Sequence, residues 1–254
     1  MQAGPGRDGW YTDEELTPAV CEWEFPHLAA ERAREQAAAL LRLAGVCTGA
    51  AILDVGCGPG HYLLACAQLG YACTGLDRSA KMLERAQRAT QAHGARVELV
   101  RGDARNLTGL RRFDLALSIG TSFGYFPDDQ ENDSMLAGIL RVLKPGGHLL
   151  LDLDGKEVVA RGFRPRHWSE RDGVLVVEER RPVRAWRWLE IRRRFIAGED
   201  RQECVIGYRL YSADEICAAL QRQGYCAIRC FGDFEGAPYD HLAKRLIVIA
   251  RNRR

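Results

Sequence analysis

The chain of 254 residues has no long apolar run. Its hydrophobic stretches, such as Leu149 to Leu153 and Leu246 to Ala250, have strand length, short of the roughly 18–20 residues that cross a bilayer. Met1 to Trp10 lacks a basic start followed by an apolar stretch, so it does not read as a secretory signal. A cytoplasmic protein without a membrane partner is expected. A strong charge of one sign is also missing: 36 basic and 34 acidic residues leave a formal net charge of +2, which gives no global attraction to nucleic acid or to an anionic surface. The nine cysteines include no CxxC pair, and Cys66, Cys73 and Cys217 sit within apolar stretches, as buried thiols of a reducing compartment do. Cys226 and Cys230 have no further Cys or His at ligand spacing, so no metal site is expected. Internal repeats and low-complexity tracts are absent.

What is present is an alternation of apolar, strand-length runs with helical patterns. The pattern is helical from Thr12 to Leu43, and its alanine-rich stretch from Leu28 to Leu43 reads as an amphipathic helix that leads to a strand at Ala50–Val55, a glycine turn and a helix at Tyr62–Leu69. Strands at Ala72–Leu76, Arg96–Arg101, Phe113–Ser118 and His148–Leu153 follow, with helices at Ser79–His93 and Asn132–Val142. Strands separated by helices imply βαβ crossovers, and hence a parallel sheet covered on both faces.

Between Gly155 and Leu210 the texture turns arginine-rich, with three β-branched runs that read as a small antiparallel sheet. Arginines interleaved with Trp168, Trp186 and Trp188 raise a nucleic-acid reading. Glu170, Glu178, Glu179, Glu190 and Glu199 in the same segment favour cross-strand ion pairs on a solvated face or lid instead. Ser212 with Glu215 spells a capping box for a helix to about Gln223, and two more strands end the chain.

The chemistry-bearing residues gather at strand ends. Asp54-Val55-Gly56-Cys57-Gly58-Pro59-Gly60 follows the first strand, with glycines two apart and an acid before them, unlike the GxGxxG of dinucleotide binders. An acid there suits a cationic ammonium and repels a pyrophosphate. Asp77 closes the second strand, where a carboxylate can accept from both hydroxyls of a ribose, and Asp103 closes the third. Three acids at the carboxyl ends of three strands mark the ligand edge of an open parallel sheet.

With LDVGCGPG, TGLD, GDA, FDLALS and LKPGG in this order, Ile52 to Leu153 resembles a class I S-adenosylmethionine-dependent methyltransferase. The resemblance implies an α/β fold with a seven-stranded, mostly parallel, doubly wound sheet and a small antiparallel β insertion. It implies S-adenosylmethionine as cofactor, with Asp54, Gly56, Cys57, Gly58 and Gly60 near its methionine part. Asp77, with Arg78 beside it, would hold the ribose; Asp103, Ala104 and Met82 the adenine; and Ser118 would lie by the methionyl amine. The division expected is an N-terminal helical cap (1–45), a cofactor domain (46–154 and 211–254) and a β insertion acting as a substrate lid (155–210).

For methyl transfer to nitrogen or oxygen, candidate acceptor-orienting or basic groups are Tyr125, His61, His167 and Asp152. The stretch after the fourth strand lacks the Asn/Asp-Pro-Pro-aromatic motif of enzymes that methylate planar amino groups on adenine or glutamine. A small-molecule acceptor is placed first, since the sheet insertion can close a compact pocket, and an RNA or protein acceptor second; a protein that binds the cofactor without methylating is another reading, and an NAD-binding oxidoreductase is disfavoured by the Gly56 to Gly60 spacing.

Overall fold

The computed structural model describes residues 30–171 and 173–253. The N-terminal part of the expected cap, residues 1–29, lies outside them. A seven-stranded sheet is formed by β1 (Ala51–Val55), β2 (Ala72–Asp77), β3 (Val97–Arg101), β4 (Phe113–Ser118), β5 (Leu143–Leu153), β10 (Tyr225–Phe231) and β11 (Leu246–Asn252). Its spatial order is β10-β11-β5-β4-β1-β2-β3, with β11 antiparallel to both neighbours and the other pairings parallel. From β1 the chain first winds outward through β2 and β3, then returns to β4 on the other side. That reversal opens a crevice at the carboxyl ends of β1 and β4.

Both sheet faces are apolar because both are covered. Along β1, Ile52 points to one side and Leu53 and Val55 to the other; along β11, Ile247 and Ile249 alternate with Leu246 and Val248. Helices α1 (Ala30–Ala44) and α2 (His61–Gln68) cover one face through Leu40, Leu41 and Leu63. Helices α4 (Asp129–Val142) and α6 (Ala213–Gln223) cover the other through Met135, Ile139, Ile216 and Leu220. Helix α3 (Ala80–Ala92) starts at the Ser79 cap, whose hydroxyl accepts from Met82 N. The Ser212–Glu215 capping box is formed as expected, and Gly224 ends α6 in the left-handed conformation.

The insertion holds one element more of each kind than its sequence pattern suggests. A short helix α5 (Lys156–Arg161) precedes four antiparallel strands, β6 (Arg166–Arg171), β7 (Val174–Val183), β8 (Trp188–Ala197) and β9 (Asp200–Arg209). No α5 residue is buried, and β6 is a short polar edge strand, so neither carries a hydrophobic period. The expected solvated ion pairs exist on one face: Arg181–Glu190, Arg192–Glu203 and Arg194–Glu203 cross between strands in the open. On the other face the reading is corrected, because Arg193 and Glu178 are buried together against the body of the protein. Period-2 alternation sends neighbouring charged residues to opposite faces.

Candidate active site

The turn after β1 is drawn against β2 by backbone bonds from Gly56 N and Cys57 N to Leu76 O (2.8 and 3.0 Å). Gly56, at φ +76°, also meets the loop after β4: a Cβ there would lie 3.0 Å from Ser122 Cβ. Gly58 N donates to Asp77 Oδ2 (2.8 Å), and Asp77 Oδ1 accepts from Ser79 N (2.9 Å). Thus one carboxylate ties the glycine turn to the start of α3.

Asp54, Gly56, Cys57, Gly58, Asp77, Arg78, Met82, Asp103 and Ala104 line one cavity in the crevice, together with His61, Tyr62, Ser122, Tyr125 and Phe126. Burial pushes the Asp54 carboxyl up to about 7, and the nearby charge of Asp77 adds to the shift. A cationic ligand beside Asp54 would relieve that penalty, which is the chemical fit expected for a sulfonium-bearing amino acid. Asp103 is held differently. Arg105 grips it through Nε (2.9 Å) and Nη2 (2.5 Å), and these bonds hold its carboxyl below the usual range. Arg105 itself stacks over Phe126 at 4.8 Å and pairs with Glu131. No sequence motif announces Arg105; its spacing of two from Asp103 is the only local hint.

Of the expected cofactor residues, Gly60 and Ser118 do not line the cavity, and Cys57 lines it with its thiol tucked under the turn. The Cys57 Sγ packs beneath the turn over Gly75, and burial, followed by the charges of Asp54 and Asp77, raises its thiol well above the ordinary value. Gly60 does not line the cavity: at φ +85° it is the close approach of α2 to α3, where a Cβ would stand 2.9 Å from Ala86 Cβ. Ser118 is fully buried with no hydrogen bond to its Oγ, and it too is absent from the cavity wall. Ser122, four residues on, does reach the wall, with its hydroxyl bonded to Ile119 O at 2.8 Å.

Among the four proposed acid–base candidates, His61 and Tyr125 share the crevice. His167 sits on the edge strand β6, opposite Glu178, and lines neither cavity. Asp152 lines neither cavity: its Oδ1 accepts from Arg245 Nε (2.7 Å) and its Oδ2 from Gly120 N (2.9 Å), which closes it inside the sheet edge. Asp154, two residues further on the same strand exit, is the carboxylate that faces an open space. It accepts from Arg245 Nη1 (2.7 Å) and from Tyr208 Oη (2.8 Å).

That space is a second cavity of about 400 Å³ between the loop after β4, helix α5 and the inner face of the small sheet. Tyr125 lines both cavities and stands at their shared wall. The loop carrying it is strained and tied down. Gly120 and Thr121 both have positive φ (70° and 61°), a conformation costly for a β-branched residue. Thr121 N donates to Asp152 O (2.9 Å), and its Oγ1 accepts from Arg245 Nη2 (3.3 Å). Arg209 N on β9 donates to Gly124 O (2.7 Å), which docks the small sheet directly onto this loop.

Residues 52–147 match the family model described as "Methyltransferase domain". The chain is 35% identical over 104 residues to the cypemycin N-terminal methyltransferase of Streptomyces sp, an alignment covering 41% of this chain and 42% of that one. Its fold is similar to an S-adenosylmethionine-dependent methyltransferase from Clostridium acetobutylicum ATCC 824 (TM-score 0.79, 16% identity, 93% of this chain and 97% of that one). It is also similar to the sugar N-methyltransferase KedS8 from Streptoalloteichus sp ATCC 53650 (TM-score 0.67, 21% identity, 100% and 99% covered). Among the described residues no helix is long and apolar enough to cross a membrane. With the glycine turn, the acids at successive strand ends and the family match in agreement, residues 52–147 form a methyltransferase domain, and the chain has the fold of the S-adenosylmethionine-dependent class I methyltransferases.

Proposed function

We propose that this methyltransferase alkylates an amine nitrogen of a small molecule seated in the second cavity, with Tyr125 at the point of transfer. The observation that carries the reading is that Tyr125 belongs to both cavities, so a donor in one and an acceptor in the other can meet beside it. The likeness to a sugar N-methyltransferase over the whole chain supports a small amine acceptor.

In this reading Asp77 accepts from the ribose hydroxyls, Met82 and Ala104 pack on the adenine, and Asp103 takes its amino group with the lone pairs that Arg105 leaves open. Asp54 faces the methionyl ammonium. The bound donor supplies an electrophilic methyl on a sulfonium. A neutral amine would need no prior deprotonation to take that methyl, so the chain's part would be to align the amine and to let the product ammonium lose its proton. Asp154, rather than Asp152, is the carboxylate positioned to attract the amine. Residues 155–210 act as the lid that excludes water.

The test is calorimetric titration with S-adenosylmethionine and S-adenosylhomocysteine, with NADH and an Asp77→Ala variant as controls, followed by labelled methyl transfer to matched amine and hydroxyl acceptors. Micromolar binding that falls at least about 100-fold in the variant, and label on amines, are expected. Folded protein that ignores both adenosyl ligands, or labels only hydroxyls, would sink the proposal.

A further inference from the structure

The second cavity has two charged ends: at one, Asp154 pairs with Arg245, which is shared with the buried Asp152, and at the other stand arginines. On the inner face of the small sheet the register stacks three rows: Leu189 opposite Tyr208, Ile191 between Arg180 and Ile206, and Arg193 between Glu178 and Cys204. The Tyr208 row abuts the transfer point, because Tyr208 donates to Asp154 and the next residue's backbone bonds Gly124. Arg180 is one row further and Arg193 two, about 7 and 13 Å along strands that rise roughly 3.3 Å per residue. Leu189, Ile191 and Ile206 make the apolar floor between the ends.

The far end is a built cationic cluster. Arg193 and Glu178 have side chains only 4% and 6% exposed, and Glu178 accepts from Arg193 Nε (2.8 Å) and from Arg180 Nε (2.8 Å). Arg180 and Arg193 both bond Glu178, and Arg164 at the same wall has no ion-pair partner among the described residues. A purely structural triad would hold β7 to β8 equally well with its charges turned away from a cavity. Here Arg164, Arg180 and Arg193 all line one, so three guanidinium groups face the space that holds the acceptor.

We infer that the methyl acceptor is an amphoteric small molecule: its amine lies by Asp154 and Tyr125, and an anionic group, carboxylate or phosphate, is held by Arg180 and Arg193 at the far end. This rests on the second cavity being the acceptor site, as proposed above. Bidentate guanidinium contacts to such an anion are charge-assisted and directional.

The experiment is calorimetric titration of the full chain loaded with S-adenosylhomocysteine, using 6-aminohexanoate, 6-aminohexyl phosphate and hexylamine. At least one anion-bearing amine is expected to bind about tenfold or more tighter than hexylamine, and which one identifies the anion. Arg180→Gln, which leaves the Arg193–Glu178 pair intact, should abolish that preference; Arg193→Gln should do the same if the protein folds. Equal binding of hexylamine, no binding of either anion-bearing probe, or a preference that survives Arg180→Gln would each overturn the inference. Failure to bind S-adenosylhomocysteine would instead remove the reading beneath it.

Discussion

At the carboxyl end of β1, Asp54 keeps its proton in the folded chain up to about 7, whereas an ordinary aspartate ionises near 3.8. Because the folded state holds the proton more tightly, stability from this group is present at low pH and is lost as pH rises from about 4 to 7. Asp54→Asn should therefore raise stability at pH 8 by roughly 2–4 kcal/mol, with a higher melting temperature, and make little difference at pH 4. The same change should weaken S-adenosylmethionine binding at least about tenfold, and wild-type affinity should fall as pH drops below 7. Calorimetry and thermal melts across pH 4–8 test both. Cys57 is predicted to be inert: at pH 7.5 iodoacetamide should label the exposed Cys47 and leave Cys57 untouched, as read by peptide mass spectrometry. That Asp54, Asp77 and Asp103 share one crevice was legible because each lies within two residues of the carboxyl end of its strand. The choice between Asp152 and Asp154 was not, since it depends on Arg245, whose ion pair with Asp152 spans 93 residues.

The elements with a strong local period were readable to within a few residues, as β4, β7 and the capped helix α6 show. Helix α5 and strand β6 escaped because they bury little and so leave no pattern. Gly60 belongs to this scale, as two helices approach closely at it. Gly60→Ala combines a left-handed φ with a 2.9 Å clash on Ala86, and should cost about 1–3 kcal/mol in urea unfolding. Ser212→Ala, which removes the side-chain half of the capping box, should cost about 1 kcal/mol with cofactor affinity unchanged.

Across the whole molecule, the large sheet and the insertion meet through the loop after β4 and through the Tyr208–Asp154 bond, and Arg245 braces that junction from the large-sheet side. This side chain joins Asp152 on β5, Asp154 at its exit and Thr121 on the strained loop. Arg245→Met would leave the buried Asp152 carboxylate without its cation, and a loss of about 3 kcal/mol in denaturant unfolding is expected. Methyl transfer should fall more than S-adenosylhomocysteine binding, because Arg245 lines the second cavity and not the first. Equal losses in both would argue against this separation of roles.

The order of strands and helices, the glycine turn and the acids of the donor crevice follow from the sequence alone, because hydrophobic period, turn chemistry and strand-end residues are local properties of the chain. The second cavity and its charged ends were decided only in three dimensions. They arise where β7, β8 and β9 turn one face of an arginine-rich sheet inward against a loop more than fifty residues earlier, and no local pattern records which face that will be.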